Sequence, residues 1–340
     1  MIVRSKAPLR LGLAGGGSDV SPYSDLYGGN VLNATINLAA YCTIEPLHRP
    51  VVRIRAADAG IHAEFPLGTG LLNTGALLID GVYRRVVQDF GPVPSPGFSI
   101  TTYNDAPAGS GLGTSSTMVV CILKCFAEWM GIPLGNYELA RLAYEIERKE
   151  LLLSGGKQDQ YAAAFGGFNF MEFLPSDLVI VNPLRVKDWI VEELEASLLL
   201  YFTGRSRDGA AIIEQQQQAT RSGDSVAVEA MHCIKQSAVD MKLALLQGDM
   251  RSFAQILGKA WEEKKKMAEA ISNPMIQEAF DAALAAGAVS GKVSGAGGGG
   301  FIMLMVPPEK KYAVREALQA LPGKVVPFQF TDKGAVAWKL

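Results

Sequence analysis

The stretch NDAPAGSGLGTSSTMVV, residues 104 to 120, sets Gly109, Gly111 and Gly113 and the hydroxyls of Thr114, Ser115 and Ser116 directly before an apolar run. Glycines leave backbone amides uncovered and tolerate positive φ. A helix starting after them offers about four unpaired N–H groups and roughly half a positive charge, a combination that accommodates phosphate. It is not a Walker loop. Five residues on from Gly109 stands Thr114 and five on from Gly111 stands Ser116, so the second glycine and the lysine of G-x-x-x-x-G-K-[ST] are both missing. Whatever neutralises a bound phosphate must come from elsewhere in the chain. The competing reading, an ordinary N-cap after a flexible loop, is disfavoured by the apolar helix behind, whose burial holds the amides in place.

Three further stretches carry candidates. KAPLRLGLAGGGSD, residues 6 to 19, arranges Lys6, Arg10, Ser18 and Asp19 around three glycines, although such a charged turn is equally compatible with plain surface. SGGKQDQYAAAFGG, residues 154 to 167, places Asp159 between two glutamines after a glycine pair, where a lone Asp is usually a cap. Just upstream, Glu145 and Glu147 lie two apart and so on different helix faces, which lets one of them share a site with Asp159. KVSGAGGGGF, residues 292 to 301, contains a literal G-x-G-x-x-G at Gly295, Gly297 and Gly300. That fingerprint has meaning where a strand turns into a helix, whereas here it leads into the strand-like FIMLMV. A tight hairpin is the bland alternative, but four consecutive glycines exceed the needs of a turn and suit close approach of backbone to a ligand.

The elements that must position these residues read as follows. VLNATINL, VVRIRAAD, IHAEFPL and FSITTYN are short alternating or apolar runs, hence strands, with a helix expected from Leu71 to Phe90. Residues 115 to 130 are apolar almost all round, which marks a buried helix, and a second helix is expected from Tyr137 to about Leu152. In the second half LLLYFTG, SGKVSG, FIMLMV and KVVPFQF read as strands, with long helices over 209 to 287 and another in PEKKYAVREALQAL. The order β, α, β, β, α, β is the split βαβ of ferredoxin-like domains. We therefore expect an α+β protein of two lobes, residues 1–180 and 181–340. QQQQ at 215 to 218 and EEKKK at 262 to 266 read as solvated helix faces.

Composition bounds the partners. At 340 residues with 49% hydrophobic and 19% charged content, the chain can bury a large core. A net charge of -2 gives no electrostatic footprint for nucleic acid or an anionic membrane, so any anion must be held locally. No apolar stretch reaches the roughly 20 residues of a membrane span, and MIVRSKAPLR lacks a signal-peptide core, so a cytoplasmic protein is expected. The cysteines at 42, 121, 125 and 233 form no CxxC pair and the histidines at 48, 62 and 232 are scattered. Zinc is thus disfavoured, any metal should be hard and oxygen-bound, and Cys121 and Cys125 should be core residues.

Taken in order, the glycine stretches resemble the motifs of the GHMP kinases, across the whole chain. APLRLGLAGGGSD is similar to the first motif, PAGSGLGTS from Pro107 to Ser115 to the diagnostic P-x-x-x-G-L-G-S-S with Thr114 for Ser, and KVSGAGGGG to the third. The resemblance implies a ribosomal-S5-like N-terminal lobe, a ferredoxin-like C-terminal lobe, and transfer of phosphate from ATP with Mg²⁺. It implies catalytic roles for Arg10 and for Asp159, which stands at the acidic position of a G-x-x-D-Q pattern. It also implies an ATP cradle of Pro107, Gly109, Ser110, Gly111, Leu112, Gly113, Thr114, Ser115 and Ser116. Mg²⁺ is assigned to Glu147 and, among the hydroxyls, to Ser115.

LAGGGSD lacks the acidic and histidine residues of galactokinases at Gly16 and Gly17. The chain looks instead like the heptose 7-phosphate kinase branch and, next, the kinase part of L-fucokinases, both of which act on an anomeric hydroxyl. This implies a sugar phosphate substrate, a product for nucleotide-heptose and surface polysaccharide synthesis, no nucleic-acid or membrane partner, and room for a homo-oligomer. Substrate contacts are expected from Gly17, Ser18, Asp19, Lys157, Gln160, Arg205, Gly297 and Gly298. Lys157, Arg205 and Arg207 are candidate donors to a second phosphate. The rival from another class is a sensor that binds ATP and sugar without turnover, disfavoured by the presence of both Arg10 and Asp159.

Overall fold

The protein is described from a computed structural model that covers residues 1–57, 60–67, 74–205 and 209–340. Two sheets organise it. The first contains β1 (Val3–Ala14), β2 (Gly29–Leu47), β3 (Val51–Ala56), β4 (Ile61–Pro66), β5 (Gly97–Asn104), β6 (Phe168–Phe173) and β7 (Val179–Pro183). The second contains β8 (Leu198–Phe202), β9 (Ser290–Val293), β10 (Phe301–Met305) and β11 (Lys324–Val325), and β12 (Val336–Lys339) returns to the first. Around them run α1 (Tyr23–Tyr27), α2 (Leu77–Phe90), α3 (Thr114–Met130), α4 (Asn136–Tyr144), α5 (Gln158–Phe165), α6 (Asp188–Ser197), α7 (Ala210–Ser222), α8 (Ser225–Gln247), α9 (Met250–Lys265), α10 (Pro274–Ala285) and α11 (Lys311–Gln319).

The first sheet follows the order β12-β1-β2-β5-β3-β4, with β6 paired to β2 and β7 to β6; only β3 and β5 run parallel. The second has the order β11-β8-β10-β9, antiparallel throughout. That is the ferredoxin-like arrangement expected from the sequence. KVVPFQF contributes only Lys324 and Val325 as a strand, because Pro327 has no N–H to continue the ladder. The chain then crosses back: Phe330 bridges Ile36, and Val336 pairs with Lys6. The second lobe, expected to run on to residue 340, thus returns its last ten or so residues to the first sheet. The helix expected from Leu71 begins at Leu77, and residues 71–73 lie outside the described range.

The first sheet is buried on both faces at its centre, in β1 and the first half of β2. One face packs Phe98 of β5 with Tyr83 of α2 and Met118, Val119 and Phe126 of α3; the other packs Leu9, Leu11 and Leu13 against Met241, Leu245, Phe253 and Leu257 of α8 and α9. Burying each such side chain stabilises by about 1.5–3 kcal/mol. A register shift between Pro8 and Arg10 sets the site. Val3 and Ala7 belong to the first core and Leu9, Leu11 and Leu13 to the second, so odd positions change faces across the shift. Arg10 is thereby turned toward α3 and α5. Cys121 and Cys125 are fully buried, as expected for core residues.

Candidate active site

The phosphate loop and the catalytic candidates meet at one point. Arg10, buried in β1, donates from Nε to Asp159 Oδ1 at 2.7 Å and from Nη1 to the Gly111 carbonyl at 2.6 Å. Its backbone N–H donates to the Leu112 carbonyl. Asp159 lies in the first turn of α5, and Gly113 precedes α3 with φ +76°. A Cβ on Gly113 would stand 3.0 Å from Asp159 Cγ, so glycine is required there by both conformation and space. The N-terminus of α3 carries no side-chain cap, which leaves its amides and positive dipole end open to the cavity. From the other lobe, Ser294 Oγ donates to Gly111 O at 2.8 Å and Phe301 N to Ser110 O at 3.0 Å. The third glycine stretch thus braces the second.

A second cluster sits at the start of α3. Ser115 Oγ donates to Glu147 Oε1 at 2.9 Å, while Gln160 Nε2 donates to Glu147 Oε2 at 2.7 Å and to Ser116 Oγ at 3.2 Å. Arg148 reaches Glu147 Oε1 at 3.1 Å and Ser116 Oγ at 3.0 Å. Residues Glu145–Glu150 form a π-helical turn at the end of α4. It buries Glu147 inward, while Glu145 pairs with Arg85 and Arg141 outside. Only one glutamate of the two reaches the site, as the spacing predicts. A hydroxyl and a carboxylate in contact beside an open helix N-terminus form a donor set that suits Mg²⁺, which takes few protein ligands and completes its shell with phosphate and water.

Asp19 is a tie rather than a free carboxylate. Oδ2 accepts from the backbone N–H of Lys157 (2.9 Å) and of Gln158 (3.0 Å), and Oδ1 from Gly17 N and Gln158 Nε2, both at 3.1 Å. Four donors meet the roughly four acceptor sites of a carboxylate, so the first glycine motif caps α5 and steadies Asp159. Asp19 still borders the cavity, as do Gly16 and Gly17. Ser18 does not. It is fully buried, with Oγ bonded to Gly15 O and Asn30 O, which corrects its expected contact with substrate.

The cavity itself has a volume of about 560 Å³ and is bordered by the loops just described. Into it also face Lys264 of α9 and Lys292 of β9, both buried. Lys264 Nζ donates to Gly295 O at 2.5 Å, Lys292 Nζ to Gly12 O at 2.7 Å, and neither has a carboxylate within ion-pair distance among the described residues. Burial pushes the Lys264 ammonium down to about 8, against some support from Asp19; burial and the neighbouring Lys264 and Arg10 charges push Lys292 well below its ordinary value. Gln158 and Gln216 border the same space, with Gln158 Oε1 and Gln216 Nε2 buried and unpartnered among the described residues.

Several expected contacts fall elsewhere. Lys157 sends its ammonium away from the cavity to Asp177 at 2.7 Å and over the Tyr144 ring. Arg205 and Gly298 border a separate hollow with Asn273, Pro274 and Met275, and Gly297 packs on Ile271. Arg207 lies outside the described residues. Gln160, fully buried, serves Glu147 rather than substrate. Within the cradle Gly109, Gly111, Gly113, Thr114, Ser115 and Ser116 border the cavity, whereas Pro107, Ser110 and Leu112 do not. Leu112 is a core residue, and Ser110 bonds through its backbone to Pro107 and Phe301.

Comparison with known proteins matches residues 77–167 to the GHMP kinases N terminal domain and residues 241–323 to the GHMP kinases C terminal domain. The chain belongs to the GHMP kinase family. This kinase is 48% identical over 339 residues, 99% of each chain, to a D-glycero-alpha-D-manno-heptose 7-phosphate kinase of Campylobacter jejuni. It superimposes on the crystal structure of a D-glycero-D-manno-heptose 1-phosphate kinase from Bacteroides thetaiotaomicron with TM-score 0.84 and 59% identity, covering 99% of both chains. It is 27% identical to an L-fucokinase/L-fucose-1-P guanylyltransferase of Bacteroides fragilis, matching 98% of this chain but 38% of that one. No helix among the described residues is long and apolar enough to cross a membrane.

The residues of this GHMP kinase that sequence reasoning missed are Lys264, Lys292, Gln158 and Gln216. Two of them sit in runs that look like solvated helix faces, EEKKK and QQQQ. The available signal was periodicity: Lys264 falls three, four and seven residues after Trp261, Ala260 and Leu257, all buried, and Gln216 four after buried Ile212. One member of each run therefore points inward.

Proposed function

We propose that this GHMP kinase transfers the γ-phosphoryl group of ATP to the anomeric hydroxyl of D-glycero-D-manno-heptose 7-phosphate, giving the 1,7-bisphosphate and ADP. The observation that carries the reaction type is the Arg10–Asp159 pair, held against the loop that opens α3. The sugar is supported by the full-length similarity to two kinases named for a phosphorylated manno-heptose.

In this reading Asp159 Oδ1 is taken by Arg10, and Oδ2 accepts the proton of the sugar 1-hydroxyl. The sugar oxygen forms its bond to the γ-phosphorus as the bond to the β-phosphate oxygen breaks, and ADP leaves. Arg10 orients Asp159 and faces the charge that spreads over the transferred group. The α3 amides hold the phosphates, and Ser115 and Glu147 would hold Mg²⁺, which neutralises the β and γ oxygens when bound. Phosphoryl transfer depends mainly on positioning and electrostatics, so the rigid tie of Asp19 to α5 is part of the machinery.

An ADP-release screen over heptose 7-phosphate, free heptose, mannose and fucose tests the assignment. Turnover of heptose 7-phosphate above the others is expected; turnover of fucose with none of a heptose phosphate would move the enzyme to the fucokinase branch. Binding of ATP and sugar without ADP release would make it a sensor.

A further inference from the structure

We propose that Lys264 and Lys292 form the seat of a second phosphate group, the one already present on the acceptor sugar, with Gln158 and Gln216 reading hydroxyls between that phosphate and the reacting carbon. The inference rests on the proposed sugar phosphate kinase reading and assigns the anion site that Lys157 and Arg205 do not supply.

Both lysines are buried and border the cavity, and each makes one short bond to a backbone carbonyl. An ammonium has three donors, so at least one on each is left for another acceptor. Two neighbouring cations stripped of water, with no carboxylate partner among the described residues, are costly to keep folded, and a phosphate dianion is the group that would meet both. Lys264 bonds to Gly295, which packs on Gly111 of the loop, so the lysines lie at the cavity wall behind that loop. Lys292 bonds to Gly12, two residues beyond Arg10 along β1 and on the way to the glycine turn that ends in Asp19. Ser115, Glu147 and the open end of α3 line the same cavity, so the nucleotide arm of the test decides which phosphate the lysines meet.

The glutamines complete the site. Gln158 Nε2 is bound to the Asp19 carboxylate, which fixes the amide and leaves Oε1 buried beside Gly12 with no donor among the described residues. Gln216 sets its Oε1 beside the Gly17 turn, and its Nε2 is a buried donor with no acceptor among the described residues. Both glutamines line the cavity, and an acceptor and a donor that lack partners among the described residues fit the hydroxyls of a polyol once the amides turn to meet it. The ligand class is a sugar or polyol monophosphate whose free hydroxyl reaches Asp159.

The test compares wild type, Lys264→Met and Lys292→Met in full-chain kinetics with heptose 7-phosphate and with unphosphorylated heptose. In parallel, inorganic phosphate is titrated calorimetrically into each protein saturated with a non-hydrolysable ATP analogue, which fills the loop at α3. Loss of one charge-assisted contact should raise KM for the 7-phosphate about tenfold or more, leave KM for ATP within about threefold, and abolish phosphate binding. Raised KM for ATP with an unchanged sugar KM would assign the lysines to the nucleotide and overturn the proposal. Should the wild type turn over no heptose phosphate, the sugar assignment fails, and calorimetry still decides the site. Phosphate bound by the wild type and lost in both variants upholds it; phosphate retained by both, or not bound by the wild type, ends it. Melting curves no lower than wild type distinguish loss of the site from loss of the fold.

Discussion

Asp19 holds Gln158 twice, through the backbone N–H at 3.0 Å and through the side-chain amide at 3.1 Å, and so fastens the first glycine motif to the residue next to Asp159. Removing that carboxylate strips four donors of their acceptor inside the protein. Asp19→Ala should therefore lower stability by about 1–3 kcal/mol in urea unfolding and lower kcat, since α5 is no longer held. A variant with full stability and a raised sugar KM alone would make Asp19 a substrate contact instead.

Asp159→Asn preserves shape and removes the proton acceptor. We expect kcat to fall on the order of 10² to 10⁴ with ATP affinity retained, checked by single-turnover kinetics and a nucleotide titration. Near-normal turnover would leave catalysis to positioning alone.

Gln160 acts through Glu147. Its amide is within 2.7 Å of Glu147 Oε2, so Gln160→Ala should free that carboxylate to rotate. The expected readout is a rise of about 10- to 100-fold in the Mg²⁺ concentration needed for half-maximal rate, with the sugar KM little changed. An unchanged Mg²⁺ dependence would separate Glu147 from metal binding.

Lys264 links site and stability. Its folded pKa, about 8, lies below the 10.5 of an unfolded lysine. Below pH 8 both states are protonated and the full cost of the buried charge is present; between pH 8 and 10.5 the unfolded chain binds more protons, so this group's contribution to stability rises with pH. Lys264→Met should therefore be more stable than wild type by up to about 3 kcal/mol at pH 7. That gain should vanish above pH 10.5, and thermal unfolding across pH 7 to 10.5 measures it. A variant less stable than wild type at pH 7 would show that Lys264 is already paired in the free enzyme.

Sequence alone determined a great deal here because the chemistry is concentrated in contiguous glycine motifs. PAGSGLGTSS before an apolar run reads as a phosphate cradle by local rules, and the order of elements in the second half matches the ferredoxin-like sheet observed. Arg10, Asp159 and Ser115 stand in such stretches, and the resemblance to the GHMP kinases singled them out together with Glu147. Tertiary structure decided which side chains of mixed runs face inward, since burial depends on the partner surface and not on the run. Lys264 and Gln216 enter the cavity because α9 and α7 present one apolar stripe each, while Lys157, embedded in GGKQDQ, swings to Asp177. Nor could local pattern show that Asp19 and Ser18 are spent on holding the turn, or that Gln160 supports Glu147. Those assignments depend on contacts between residues far apart in sequence, which no spacing encodes.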